Sequence, residues 1–203
     1  MDKKNQKKLI VIGILLLIMG IADFAYTIFF EPLYNLLWFS NSITILVGLA
    51  IISRNRLFMG AMLISSMIEI PWVVDFLSHL LFGVGVFGNA TEYMFRDFGF
   101  NSLNFYLELN HVLVIPAAVY GALKIGIHKK SYFVSGAQAA LFSILAFYLA
   151  PASKNINCVY HLCSFKEDIF GINNSFYLVV WISFLFIMGY LLNRAFLNFL
   201  KHE

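Results

Sequence analysis

The sequence predicts an all-α fold, a polytopic transmembrane helix bundle of six spans in one integral membrane domain covering residues 1–203, with both termini cytoplasmic. Three observations carry that reading. The chain is 61% apolar and 12% charged, about half the charged share of a soluble domain, with a mean hydropathy of +0.80. Its apolar runs approach about 20 residues, the length that crosses a hydrocarbon core of roughly 30 Å. Basic residues collect at alternate ends of those runs.

In chain order, hydropathy places spans near 9–30, 34–52, 57–82, 103–125, 132–150 and 175–198. The first follows a lysine-rich stretch and has the look of a secretory signal. It reads instead as a retained helix, because no small-residue cleavage motif follows and apolar residues continue to Phe30. Pro32 breaks the first connection, "SRNR" (53–56) marks the second, and "IHKK" (127–130) the fourth.

With the N-terminus inside, Arg96, Lys154 and Lys166 fall outside and the rest of the 14 lysines and arginines fall on the cytoplasmic side. The bias holds at every loop. It also accounts for the net charge of +3, so no nucleic-acid partner is implied. Membrane lipid is the partner that composition implies, whereas oligomeric state and organism are not legible.

Two outer loops are longer than turns. "GVGVFGNATEYMFRDFGFNS" (83–102) is too short and polar to span twice. Asn89 or Thr91 is expected to cap a short helix ending at Gly99, with Tyr93, Met94, Phe95 and Phe98 anchoring it over the bundle mouth. The second loop, 151–174, holds the only cysteines, Cys158 and Cys163. A disulfide between them is the leading expectation, since thiols outside the cell oxidise. A metal site with His161 is less favoured, because two thiolates and one imidazole leave a tetrahedral shell incomplete. Asn89 and Asn173 begin outer-side glycosylation sequons.

The ionisable residues within the spans gather in the outer half. Asn101, Asn104, Glu108 and His111 recur at three- and four-residue spacing and form one stripe on the fourth span, with Pro116 expected to kink the helix below them. On the third span Ser65, Glu69, Trp72 and His79 share a face, with Asp75 at its edge. Glu69 and Asp23 both fall roughly 18–20 Å from the inner ends of their spans. Ser40, Asn41 and Thr44 lie near the outer end of the second. Such groups avoid lipid, so a polar pocket open to the outer face explains the clustering. Asp23, Asn41, Glu69, Asp75, His79 and Asn104 are its candidate lining; His111, Glu108, Ser40 and Thr44 are candidates for catalysis.

The bland readings stand beside these. Glu108 and His111 equally suit a buried pair that fixes helix packing, Asp75 and His79 suit a solvated interface, and Asp23 suits a structural hydrogen bond. Glu69, near the midplane beside Pro71, is harder to dismiss. One Glu-x-x-His and one Asp-x-x-x-His make only a weak metal signal, so neither a metal nor another cofactor is assigned.

"PWVVDFLSHLLFG" (71–83), "ELNHVLVIPAAVYGALKIG" (108–126) and "PASKNINCVY" (151–160) resemble an uncharacterised prokaryotic family usually called membrane-associated protein. The likeness covers roughly residues 55 to 165 and implies no reaction. A fainter likeness is to the YwaF-like and androgen-induced membrane protein group. Its hydrolase branch pairs a nucleophilic Thr on an early helix with a His that precedes a Pro. His111 matches that His by position. The nucleophile's position falls on Trp38, with Ser40, Ser42 and Thr44 only close by.

Three functions follow. A non-catalytic protein whose polar groups hold helices together is slightly favoured. A lipid hydrolase or acyl-transfer enzyme would use His111 as base, Glu108 to orient it, and a hydroxyl of Ser40, Ser42 or Thr44 as nucleophile. A small transporter or ion binder would use the same carboxylates, but the chain shows no inverted repeat.

Overall fold

The computed structural model describes residues 3–87, 90–100, 102–162 and 174–201. Among them there are eight α-helices and no strand: α1 (Lys3–Phe30), α2 (Phe39–Ser53), α3 (Arg56–Met67), α4 (Ile70–Phe82), α5 (Leu103–Glu108), α6 (Asn110–Ile125), α7 (Ser131–Leu149) and α8 (Asn174–Lys201). Three of them, α2, α3 and α6, form the centre, where Ile43, Val47, Met59, Met62, Val114 and Ala118 are fully buried. The first helix lies along α2 and reaches α6, while α7 and α8 pair with each other and against α3.

Small residues set the closest helix contact. A Cβ on Gly48 would come within 2.8 Å of the Gly13 carbonyl oxygen, so α1 and α2 meet backbone to backbone. Loop residues then tie the helix ends. Asn55 Oδ1 accepts from the Leu57 and Phe58 amides at 2.9 and 3.1 Å and caps α3. Its neighbour Arg56 donates Nε–H to the Ile125 carbonyl at 3.1 Å, satisfying an orphan acceptor at the end of α6.

Four stretches are long and apolar enough to cross a membrane: α1, Leu103–Ile125, α7 and Asn174–Leu200. The α3–α4 pair makes a fifth if taken as one span. Only 17% of the most apolar window of α8 is buried, and Phe29, Phe30, Leu81 and Tyr148 are widely exposed, a surface compatible with lipid. The second expected span is shorter than its hydropathy suggested. Residues Leu33–Leu37 form a 3₁₀ turn, leaving the 15 residues of α2, roughly 22 Å of rise.

Expected as one helix, the third span bends by 45° between α3 and α4. Pro71 explains the break: it has no N–H to offer and its ring clashes with the Met67 carbonyl one turn back. The fourth span runs from Leu103 to Ile125, with the single residue Leu109 as a turn between α5 and α6 that keeps helical backbone angles, φ −64 and ψ −12, and α6 runs through Pro116.

The described residues of the loop after α4 fold onto the end of that helix. Gly83 ends the helix at φ +73, and a wide π-type turn spans Met94–Phe98 before Gly99 at φ +69. Thr91 does not cap that turn by its side chain; the hydroxyl and amide both donate to Asp75. Met94 is fully buried beside Phe76 and Phe105. Asn89, the first asparagine of one sequon, lies outside the described residues, as do Asn173, Asn101 and Cys163. The expected Cys158–Cys163 pair therefore falls partly outside them.

Residues 151–160 form a clamp built on two asparagines. Asn155 and Asn157 adopt left-handed backbone, at φ 44 and 57, which asparagine tolerates better than most residues. Asn157 Oδ1 accepts the Phe39 amide at 2.8 Å, and its Nδ2 donates to the Leu37 carbonyl at 2.7 Å. The Trp181 indole donates to the Asn157 carbonyl at 3.0 Å, so one residue joins α2 and α8.

Candidate functional site

The α3–α4 break meets the start of α6 where the polar residues collect. Glu69 sits at the α3–α4 break and is 7% exposed; His111, in the first turn of α6, is 5% exposed. His111 Nδ1 lies 3.0 Å from Glu69 Oε2, and Nε2 lies 3.1 Å from Glu108 Oε2. The Glu108 contact spans one helical turn, whereas the Glu69 contact joins two helices far apart in sequence. Over the imidazole stands the Trp72 ring, with centroids 4.5 Å apart.

Proton bookkeeping constrains this trio. Two ionised carboxylates are both satisfied only by two ring N–H donors; a neutral ring leaves one carboxyl holding the proton. In either arrangement the trio carries one net negative charge.

Tyr93, from the loop after α4, joins the trio, its hydroxyl hydrogen-bonded to Glu108 and to the Trp72 side chain. The indole has only an N–H to give, so it donates to the phenol oxygen, and the phenol donates to the carboxylate. Burial, then the nearby Glu108 charge, hold the Tyr93 phenol well above its ordinary range, so the phenol stays neutral as a donor.

Two more carboxylates border the trio. Asp23 on α1 accepts from Asn110 Nδ2 at 3.2 Å. Glu31 accepts from Asn35 at 2.9 Å and from Asn104 at 3.3 Å. No lysine or arginine forms an ion pair with Asp23, Glu31, Glu69 or Glu108 among the described residues.

The structure thus brings Asp23, Glu69, Asn104, Glu108 and His111 into one neighbourhood, and separates the rest. Asp75, fully buried, accepts from the Phe87 amide at 2.7 Å and from the Thr91 amide and hydroxyl at 2.9 Å each, so it pins the loop after α4. His79 stacks on Phe95 with centroids 5.1 Å apart. Asn41 donates to the Asn35 carbonyl at 3.0 Å, on the Glu31 side. Ser40 and Thr44 lie on α2, and both ring nitrogens of His111 face carboxylates instead of a hydroxyl. Ser42 belongs to another chain: Gln138 donates to it at 3.4 Å and accepts from Ser65 at 3.1 Å, and Ser65 meets Ser135 at 3.0 Å.

Three participants were not visible as such in the sequence. Asn110 sits roughly 100° from His111 and roughly 160° from Glu108 around the helix, off their stripe, although a buried amide beside an ionisable residue was a usable signal. Glu31 reads as a loop residue because Pro32 follows it. Tyr93 reads as an interfacial anchor until the loop is seen to fold inward.

The carboxylates bracket the imidazole from opposite nitrogens, so they do not converge on a shared ion. No group of three or more His, Cys, Asp or Glu positioned to hold a metal occurs among the described residues. Comparison of the chain with protein-family models, curated proteins and solved structures finds no match.

Proposed function

We propose that this is a multi-pass protein of the cell membrane whose outer-half polar network is non-catalytic and holds α6 against the α3–α4 break. One observation carries the reading: His111 spends both ring nitrogens on carboxylates, Glu69 and Glu108. A hydrolase base needs one nitrogen free to take the nucleophile's proton and one for the group that orients it. Here the second carboxylate occupies the nucleophile's place.

In this reading α2 with its preceding turn, and α3 with α4, complete six spans, both termini are cytoplasmic, and the loops around Tyr93 and Cys158 face outward. Membrane lipid surrounds the bundle, and Cys158 bonds Cys163 in that outer loop. Protease added to intact cells should spare tags at residues 1 and 203 and cut near residue 155; the reverse pattern overturns the orientation. Mass spectrometry without reductant should find the linked cysteines, and two free thiols would exclude the bond.

A fluorophosphonate probe on the purified full chain tests the non-catalytic reading. No labelling of Ser40, Ser42 or Thr44 is expected. Labelling that disappears in His111→Ala would establish the hydrolase alternative instead.

A further inference from the structure

We propose that the α1–α6 contact holds a binding site for a small monovalent cation, of sodium or ammonium size, between the Asp23 carboxylate and the Asn110 carboxamide oxygen. The starting observation is an orphan. Asn110 is 1% exposed, and its Oδ1 has no hydrogen-bond partner. Its Nδ2 donates to Asp23 at 3.2 Å. The oxygen and nitrogen of a carboxamide share one carbon, so the orphan acceptor lies beside the Asn110–Asp23 hydrogen bond at the α1–α6 contact. A buried acceptor without a donor is destabilising, and natural interiors leave few of them.

Charge points the same way. Asp23 is 7% exposed and receives that single hydrogen bond from a side chain. Its neighbourhood already contains the net negative trio around His111, and Glu31 lies on the far side. Buried charges are ordinarily paired, and here no lysine or arginine pairs with any of the four carboxylates among the described residues. One component can meet both needs if it offers something to an acceptor and also brings positive charge. Water satisfies only the first requirement. A cation satisfies both.

The donor set selects the valence. Divalent and transition ions take several carboxylate, thiolate or imidazole ligands. No such group of three exists among the described residues. One carboxylate with neutral oxygens suits a single positive charge. Thr27, buried one turn along α1 from Asp23, donates to the Asp23 carbonyl at 3.1 Å and leaves its hydroxyl oxygen as a further neutral acceptor on that face.

This inference does not depend on the role given to His111, and the experiment keeps the two apart. The full chain, purified in detergent and exchanged into N-methylglucamine chloride, is titrated with radioactive sodium and, separately, with methylammonium. Saturable, stoichiometric binding is expected, displaced by ammonium and not by N-methylglucamine. At matched ionic strength sodium should raise the midpoint of thermal unfolding by about 3 °C or more. Asp23→Asn and Asn110→Ala should abolish both effects, and Asp97→Asn, an exposed loop carboxylate, should keep them. His111→Ala should retain sodium binding while losing stability. Absence of saturable binding by either probe in the unmodified chain overturns the proposal and leaves a buried water as the partner of the Asn110 oxygen. That measurement decides even if Asp23→Asn fails to fold. Binding that survives unchanged in a folded Asp23→Asn protein also overturns it.

Discussion

Asn157 caps a helix that lies far from it in sequence: its Oδ1 accepts the Phe39 amide at 2.8 Å while its Nδ2 holds the Leu37 carbonyl at 2.7 Å. The N-terminus of α2 has no side-chain cap of its own, so this one residue supplies it. Asn157→Ala should destabilise the protein by about 2–3 kcal/mol, read from reversible unfolding in detergent. Asn157→Gly loses the same bonds but accepts the left-handed backbone, so it should be less damaging by about 1 kcal/mol. Equal losses in the two variants would show that backbone conformation is immaterial there.

Asp75 and the network around His111 act separately. Asp75→Asn weakens the acceptor for three donors of the outer loop and should cost about 2 kcal/mol. Limited proteolysis should then cut within residues 83–100 faster. Combined with His111→Ala, the two losses should add, because the residues share no partner. Strong coupling between them would place Asp75 in the site after all.

Tyr93 makes an alkaline prediction. Burial raises its folded-state pKa above the ordinary 10.0, so the stability it contributes is present below that pH and lost as pH rises through the higher folded value. Followed by tyrosinate absorbance, the folded protein should show a tyrosine that resists ionisation past pH 10.0, and Tyr93→Phe should remove it. The same late-titrating amplitude in wild type and Tyr93→Phe would refute the inward placement of the phenol.

How much of this was legible depends on where the information resides. Hydropathy is additive along the chain, so the long helices were readable to within a few residues. The meeting of Glu69 with His111 was also readable, because two ionisable groups at similar depth in lipid have few other places to go. The break at Glu69 was not expected, although Pro71 is a signal for it. Asp75 was placed with the pocket because its partners are backbone amides of a folded loop, which no side-chain pattern announces. A 3₁₀ turn over Leu33–Leu37 has the hydropathy of a helix, so the second span looked longer than α2 is.

The central claim is that His111 and Glu69 act as one buried unit that joins α6 to the α3–α4 break, and a double-mutant cycle on unfolding free energy measures it most directly. Glu69→Ala and His111→Ala should each cost about 3 kcal/mol or more, since either truncation leaves a buried partner unpaired. The double variant should cost at least 1 kcal/mol less than the two losses together, roughly the coupling of residues in contact. Additivity within about 0.5 kcal/mol would mean that the two side chains do not interact, and the account of the site would fall.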